Sequence, residues 1–168
     1  MYKIKTLVAA LFIMLCGGLF QQTIAAPGSK NEVLASDAAY QKMILHYINE
    51  YRAQRHLSPL KLVDPISVEA TTHSRNMAKH AIPVGHQQFN TRIQKLYKEI
   101  KGCRGGAENV AYWRLDPKKL VDGWIASSGH RRNIVGNYNL TGIGIAHGKT
   151  GWAYFTQIFL RSDDTKYA

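Results

Sequence analysis

The segment that organises this chain spans residues 106–134 and contains GAENVA at 106–111 and GWIASSGHRRNI at 123–134. A glycine–histidine pair lies upstream, at residues 85–86. Side chains from three separate segments meet in one pocket only when a sheet and helices hold them there, so we interpret the rest of the chain as that scaffold. The candidate site consists of two imidazoles and one carboxylate: His86, His130 and Glu108.

The first 25 residues have the layout of a secretory signal peptide. Lys3 and Lys5 give a basic start, an apolar run extends from about residue 7 to residue 20, and small residues follow. The run is shorter than the roughly 20 residues of a membrane-spanning helix, and an uncleaved anchor stays open as the alternative. We expect cleavage after Ala25 and a secreted or periplasmic protein with a linker at 26–35, a folded domain at 36–162 and a C-terminal tail at 163–168.

The chain is strongly basic, with 22 Lys and Arg against 11 Asp and Glu, a net charge of +11 with histidines neutral. Loss of the leader lysines lowers this charge to +9. Such a charge favours an anionic envelope or membrane surface as partner, while simple solubility explains it equally well. Export makes nucleic acid an unsuitable partner. Without Cys16 only Cys103 remains, so stability has to come from the packing of one domain and not from an internal disulfide.

Hydrophobic periodicity predicts an α+β domain. Apolar residues recur at helical spacing within 40–55, 66–81, 89–100 and 120–125, and they alternate as in strands within 109–113, 140–146 and 152–160. The last strand is apolar on both faces, which requires helices above and below it. This predicts a three-layer α-β-α sandwich with a central antiparallel sheet, a first helix capped by Ser36, loops at 101–106 and a tight turn at 130–134.

Two polar groups on the predicted helices have plain structural interpretations. His73 shares a face with apolar residues and is interpreted as a hydrogen-bonded core histidine. Arg92, Lys95 and Lys98 are interpreted as the solvated face of their helix.

The ordered set of motifs resembles the CAP superfamily, which groups cysteine-rich secretory proteins, wasp-venom antigens and plant pathogenesis-related proteins and is also called the SCP domain. The resemblance spans residues 40–160. The chain lacks the family's disulfides and has the SGHR form of one motif, and in both respects it resembles the bacterial branch. The motifs are INEYR (48–52), PL (59–60), HS (73–74), MA (77–78), GH (85–86), GAENVA (106–111), GHRRNI (129–134), GIG (142–144) and YFTQ (154–157).

The resemblance implies an α-β-α sandwich whose cavity holds two histidines and two glutamates. His86, Glu108 and His130 match these positions, whereas Ser127 stands where the second glutamate is expected. The family binds sterols, fatty acids or other small hydrophobic ligands, and sometimes a divalent metal. We therefore expect a cavity formed by these four residues and Asn109, in which the two histidines, and Glu108 if it reaches, bind Zn²⁺ or a similar ion.

Three roles remain open for this cavity. The first is a binding module for a small hydrophobic ligand or lipid, with no catalytic residue. The second is a metal-dependent hydrolase of the cell envelope or extracellular space, with Glu108 as base. The sequence contains neither an HExxH helix nor a GxSxG elbow, which disfavours the second role. The third is a hydrogen-bonded cluster that only fastens helix ends to the sheet.

Overall fold

A four-stranded sheet lies between helices in the computed structural model, which describes residues 30–149 and 151–167. The predicted signal peptide and residues 26–29 lie outside the described residues. No helix within the described ranges has the length and apolar character to cross a membrane. The strands are β1 (Lys61–Leu62), β2 (Cys103–Arg114), β3 (Leu140–His147) and β4 (Trp152–Ser162). The helices are α1 (Lys30–Ala53), α2 (Asp64–Ala78), α3 (Phe89–Glu99), α4 (Pro117–Ala126) and α5 (Ser128–Ile134), and a 3₁₀ turn spans Thr165–Tyr167.

Both faces of the sheet are buried, which confirms the predicted α+β fold with helices on the two sides. One face packs against α1 and α4 through residues such as Ile143 and Phe155. The opposite face packs against α2 and α3 through Leu140 and Ile158. Strand β4 is buried at every position from Ala153 to Leu160, as its apolar pattern predicted.

The sheet order is β1-β3-β4-β2, and it is mixed, not purely antiparallel. Strands β2, β3 and β4 pair antiparallel, but β1 pairs parallel to the start of β3, with Lys61 opposite Leu140. The sequence indicated an extended piece at this position without indicating its partner. Only two residues of β1 pair, because Val63 is followed at once by α2, which begins with Pro65 at its first turn.

Three predicted boundaries differ from the structure. Helix α1 begins at Lys30 and not after a cap at Ser36, because no proline or glycine interrupts residues 30–53. The predicted loop at 101–106 is largely strand, because Gly105 and Gly106 pair with β4 although they carry no side chains to show alternation. The predicted turn at 130–134 is the helix α5.

Two glycines of β3 let α2 lie directly on the sheet. A Cβ atom on Gly144 would lie 2.1 Å from the carbonyl carbon of Ala70, and one on Gly142 would lie 2.2 Å from that of Ile66. Both obstacles are helix backbone, which no rotamer change relieves. This close approach fixes α2, and hence His73 on it, relative to β2 and β4.

We predict that Gly144→Ala destabilises the protein by about 3 kcal/mol, the upper end of the usual cost of overpacking, because the helix has to move off the sheet to make room for one methyl group. Urea denaturation measures this change. Gly123→Ala in α4 is the matched control, since its added Cβ meets nothing within 4 Å. The control should stabilise by about 0.5–1 kcal/mol. Equal stability of the two variants would contradict the packing described.

Candidate functional site

Glu108 is the centre of the site, and Arg92 binds both of its carboxylate oxygens. Arg92 Nε donates to Oε2 at 2.9 Å and Nη2 donates to Oε1 at 2.8 Å. The Glu108 side chain is only 1% exposed, and Arg92 is buried with it. A two-pronged pair of this kind is among the stronger hydrogen-bonded arrangements in proteins. The negative charge of Glu108 is therefore offset inside the protein.

The interpretation of Arg92 as part of a solvated face is wrong. Its side chain folds under α3 and also donates to the carbonyl of Gln87. Lys95 and Lys98 on the same helix are exposed, as expected. Arg92 lies next to the buried stripe of α3, one residue before Ile93 and three after Phe89, and its long side chain turns inward because a carboxylate is available there.

His86 lies on the loop between α2 and α3 and bonds to the same carboxylate. Its Nδ1 lies 3.0 Å from Glu108 Oε1. A carboxylate only accepts, so Nδ1 carries the proton and, in the neutral ring, Nε2 is left as an acceptor. The imidazole is 53% exposed, so it is the part of the cluster that meets solvent. The loop continues through Gln88, whose φ of 59° is left-handed and strained for this residue type.

His73 on α2 holds the loop that carries His86 through a hydrogen bond to its backbone. Its Nε2 donates to the carbonyl of Gly85 at 2.8 Å, and its ring is almost fully buried. Burial lowers the pKa of His73, and the nearby Arg92 cation lowers it further. The ring is therefore neutral at pH 7, and its 4.0 Å approach to Glu108 is not an ion pair. The buried, hydrogen-bonded ring of His73 is the core histidine that the sequence predicted, and its bond to Gly85 also holds the loop that carries His86.

His130 lies on α5, half-buried beside the site. Burial lowers the pKa of His130, and His86 lowers it further, so this ring is also neutral at pH 7. The side chains of Asn109 and Asn133 fasten its helix to β2. Asn109 Nδ2 donates to the His130 carbonyl at 3.2 Å, and Asn133 Nδ2 donates to the Glu108 carbonyl at 3.0 Å.

The remaining two predicted site residues, Asn109 and Ser127, are not among the described residues that line the pocket over the site. Asn109 is fully buried, and its side chain is engaged by Asn133 at 2.8 Å. Ser127 is the half-buried residue before α5 and makes no side-chain cap hydrogen bond. Asn109 therefore helps to hold α5 through His130 and Asn133, whereas no such side-chain bond is seen for Ser127.

An open pocket of about 510 Å³ lies over this cluster, and we name it the Glu108 pocket. Its wall combines aromatic rings, small residues and polar groups. Sequence reasoning named His86 and Glu108 as site residues, and its motifs at 106–111 and 129–134 contain four more of the lining residues. It missed Phe89, Gly136 and Tyr138, which lie outside those motifs. The described lining residues are His86, Phe89, Gly106, Ala107, Glu108, Arg132, Asn133, Gly136 and Tyr138.

The side chains present do not suit a resident divalent ion. Protein zinc sites use three or four protein ligands, and the described residues contain no cluster of three or more His, Cys, Asp or Glu side chains arranged to hold a metal. Both oxygens of Glu108 are bound by Arg92, whose positive charge would repel a metal cation placed there. What remains is the imidazoles of His86 and His130, so we derive no chemistry through a metal.

The fold and the site define the class of this protein. The model of the cysteine-rich secretory protein family, CAP, matches residues 45–159, and the chain belongs to that family. Protein YkwD of Bacillus subtilis is 29% identical over 128 residues, which are 75% of this chain and 49% of YkwD.

Solved structures show the same fold. An extracellular SCP-domain protein of Bacillus anthracis superposes with a TM-score of 0.70 at 22% identity, covering 82% of this chain and 45% of that one. An outer surface protein of Borrelia burgdorferi superposes with a TM-score of 0.64 at 16% identity, covering 82% of this chain and 97% of that one. The chain spans about half the length of the two Bacillus proteins. The family and its bacterial branch, expected from the motifs, are confirmed.

We predict that Arg92→Met destabilises the protein by about 3–5 kcal/mol, because Glu108 is left charged and buried without its partner. Urea denaturation at pH 7 measures the change. Adding Glu108→Gln to this variant removes the stranded charge, so the double variant should be more stable than the sum of the two single changes implies. Strict additivity would show that the two side chains do not depend on each other.

The pKa shifts of the buried histidines predict a loss of stability in mild acid. Unfolded histidines take up protons below about pH 6.5, whereas the folded state resists protonation of His73 and His130. Their lowered pKa values therefore contribute stability that is present above about pH 6.5 and lost as the pH falls. Thermal melts between pH 7.5 and 5 should show this loss. His73→Gln should reduce the slope, and an unchanged slope would contradict the assignment.

Proposed function

We propose that this is an exported CAP-domain protein that binds a small amphipathic lipid, such as a fatty acid, in the Glu108 pocket. The observation that carries the proposal is the pairing of Glu108 with Arg92. Because Arg92 offsets the buried carboxylate, Arg132 carries the uncompensated charge among the described lining residues, and a ligand with an acidic head group is favoured.

The rest of the pocket wall suits the apolar part of such a ligand. The rings of Phe89 and Tyr138 offer apolar surface, and the Tyr138 ring packs directly against Gly136, where an added Cβ would lie 2.3 Å from it. The volume of about 510 Å³ lies within the range of small-molecule sites. Half-exposed His86 adds a polar atom near the head group. A sterol would use the apolar wall but would leave Arg132 without an acidic partner.

Export is supported by the leader-like first 25 residues and by the descriptions of two structural neighbours. The Bacillus anthracis protein is described as extracellular and the Borrelia burgdorferi protein as an outer surface protein. An exported protein meets membrane lipids, their breakdown products and free fatty acids outside the cytoplasm.

Hydrolysis is the second candidate, and the His86–Glu108 hydrogen bond favours it. An imidazole oriented by a carboxylate is the usual arrangement of a general base. Glu108 itself is unsuited to that role, because it is buried and already bound twice by Arg92. Binding ranks first because the described pocket lining contains no Ser, Thr or Cys side chain to serve as nucleophile.

We predict that the fluorescent fatty acid cis-parinaric acid binds the purified protein at one saturable site and is displaced by palmitate. Arg132→Gln should weaken binding about tenfold or more, because it removes a charged hydrogen-bond donor to the head group. Arg75→Gln is the matched control, since Arg75 is an exposed arginine beside a different groove. Fluorescence titration gives both dissociation constants.

Further titrations separate the alternatives. Displacement of the probe by cholesterol but not by palmitate would favour a sterol as the ligand. Binding of Zn²⁺ that is lost in both His86→Ala and His130→Ala would support a metal site at these histidines. Absence of saturable binding, or equal effects of the two arginine variants, would contradict the proposal.

A further inference from the structure

The end of the sheet remote from Glu108 carries aromatic rings on both of its faces. We name Tyr112, Trp113, Arg114 and Trp152 the aromatic tip. In the register of β2 with β4, Tyr112 lies opposite Tyr154 and Arg114 opposite Trp152, so these four share one face, while Trp113 lies on the other. Tyr112 and Trp113 are 41% and 42% exposed, among the most exposed large hydrophobic residues described.

The aromatic tip is ordered by its own contacts. The rings of Tyr112 and Trp152 stack with centroids 4.9 Å apart, and Trp113 meets Trp152 edge-on at 6.5 Å. Tyr154 continues the stack inward, 4.6 Å from Tyr112, and joins it to the core. A surface that is already ordered loses little conformational entropy when it binds a partner.

Positive charge accompanies these rings. The guanidinium of Arg114 lies 4.9 Å from the centre of the Trp152 ring. Lys149 lies in the exposed hairpin that leads into β4, and its carbonyl accepts from the Trp152 amide at 3.2 Å. No residue of the aromatic tip is acidic, and the whole chain carries +11.

Trp, Tyr and Arg together are the residues expected at a membrane–water boundary. Trp and Tyr have apolar bodies with polar ends and collect at the level of lipid head groups. Lys and Arg beside them are attracted to the phosphates of anionic lipids. The rings of Trp113 and Trp152 meet edge-on at this end of the sheet, so they can enter the same head-group layer together.

We propose that the aromatic tip docks this protein onto anionic lipid bilayers, with Trp113 and Trp152 in the head-group layer and Arg114 and Lys149 against the lipid phosphates. The tip lies about 17 Å along β2 from Glu108, since Trp113 is five positions further along the strand. Docking therefore leaves the Glu108 pocket open. Docking of the aromatic tip requires no ligand in the Glu108 pocket.

Vesicle sedimentation and tryptophan fluorescence test the docking. The protein should bind vesicles of phosphatidylcholine with phosphatidylglycerol, bind vesicles of phosphatidylcholine alone far more weakly, and detach as salt is raised. Trp124 is almost fully buried, so a blue shift of the emission on binding reports on Trp113 and Trp152. Trp113→Ser should abolish most of that shift.

Matched variants distinguish docking through the aromatic tip from non-specific adsorption to vesicles. Lys149→Gln should weaken binding about fivefold, the loss expected for one cation at an anionic surface. Lys98→Gln and Val68→Ser alter an exposed lysine on α3 and an exposed apolar residue on α2, and they should bind like the parent protein. The proposal is overturned if anionic vesicles are not bound, if both vesicle types bind equally, or if these controls weaken binding as much as the tip variants.

Discussion

The buried pair of Arg92 and Glu108 is the interaction on which the site depends. It joins α3 to β2 and provides the carboxylate to which His86 is bonded. A carboxylate without this partner would be costly to bury and would take up a proton or draw in a cation. With Arg92 in place, the charge of Glu108 is offset. The net charge that a ligand meets in the pocket is then set by the exposed lining residue Arg132.

The surroundings of the pair restrict how it moves. Close packing of α2 on Gly142 and Gly144 fixes His73, which holds the carbonyl of Gly85 and so aims His86. On the other side, Asn109 and Asn133 fasten α5 to β2. The functional side chains come from a loop, a strand and a helix, and each has its own hydrogen-bonded support, which is how a small domain orders a site without a disulfide.

The sequence predicted the architecture because long apolar periods dominate it, and β4 is the clearest case. It also predicted that His86 and Glu108 meet, since their motifs frame one strand and one loop. Arg92 was missed because periodicity assigns a charged residue beside an apolar stripe to solvent, and only the position of Glu108 turns it inward. Tyr138 was missed because it lies in a segment without a period.

The exposed end of β2 shows the same limit. Alternation along a strand indicates which residues share a face of the sheet. It does not show whether a helix buries that face. Tyr112 and Trp113 lie on opposite faces by their register and are nevertheless both exposed. Sequence alone does not show which residues at the end of a strand the neighbouring helices leave exposed to solvent.

Strand β2 is also an edge strand of the described sheet, and Asn133 has a consequence for it. By bonding the main-chain carbonyl of Glu108, its side chain occupies a position at which the strand of another molecule would otherwise pair. The same amide that holds α5 therefore protects this part of the edge from joining a second copy.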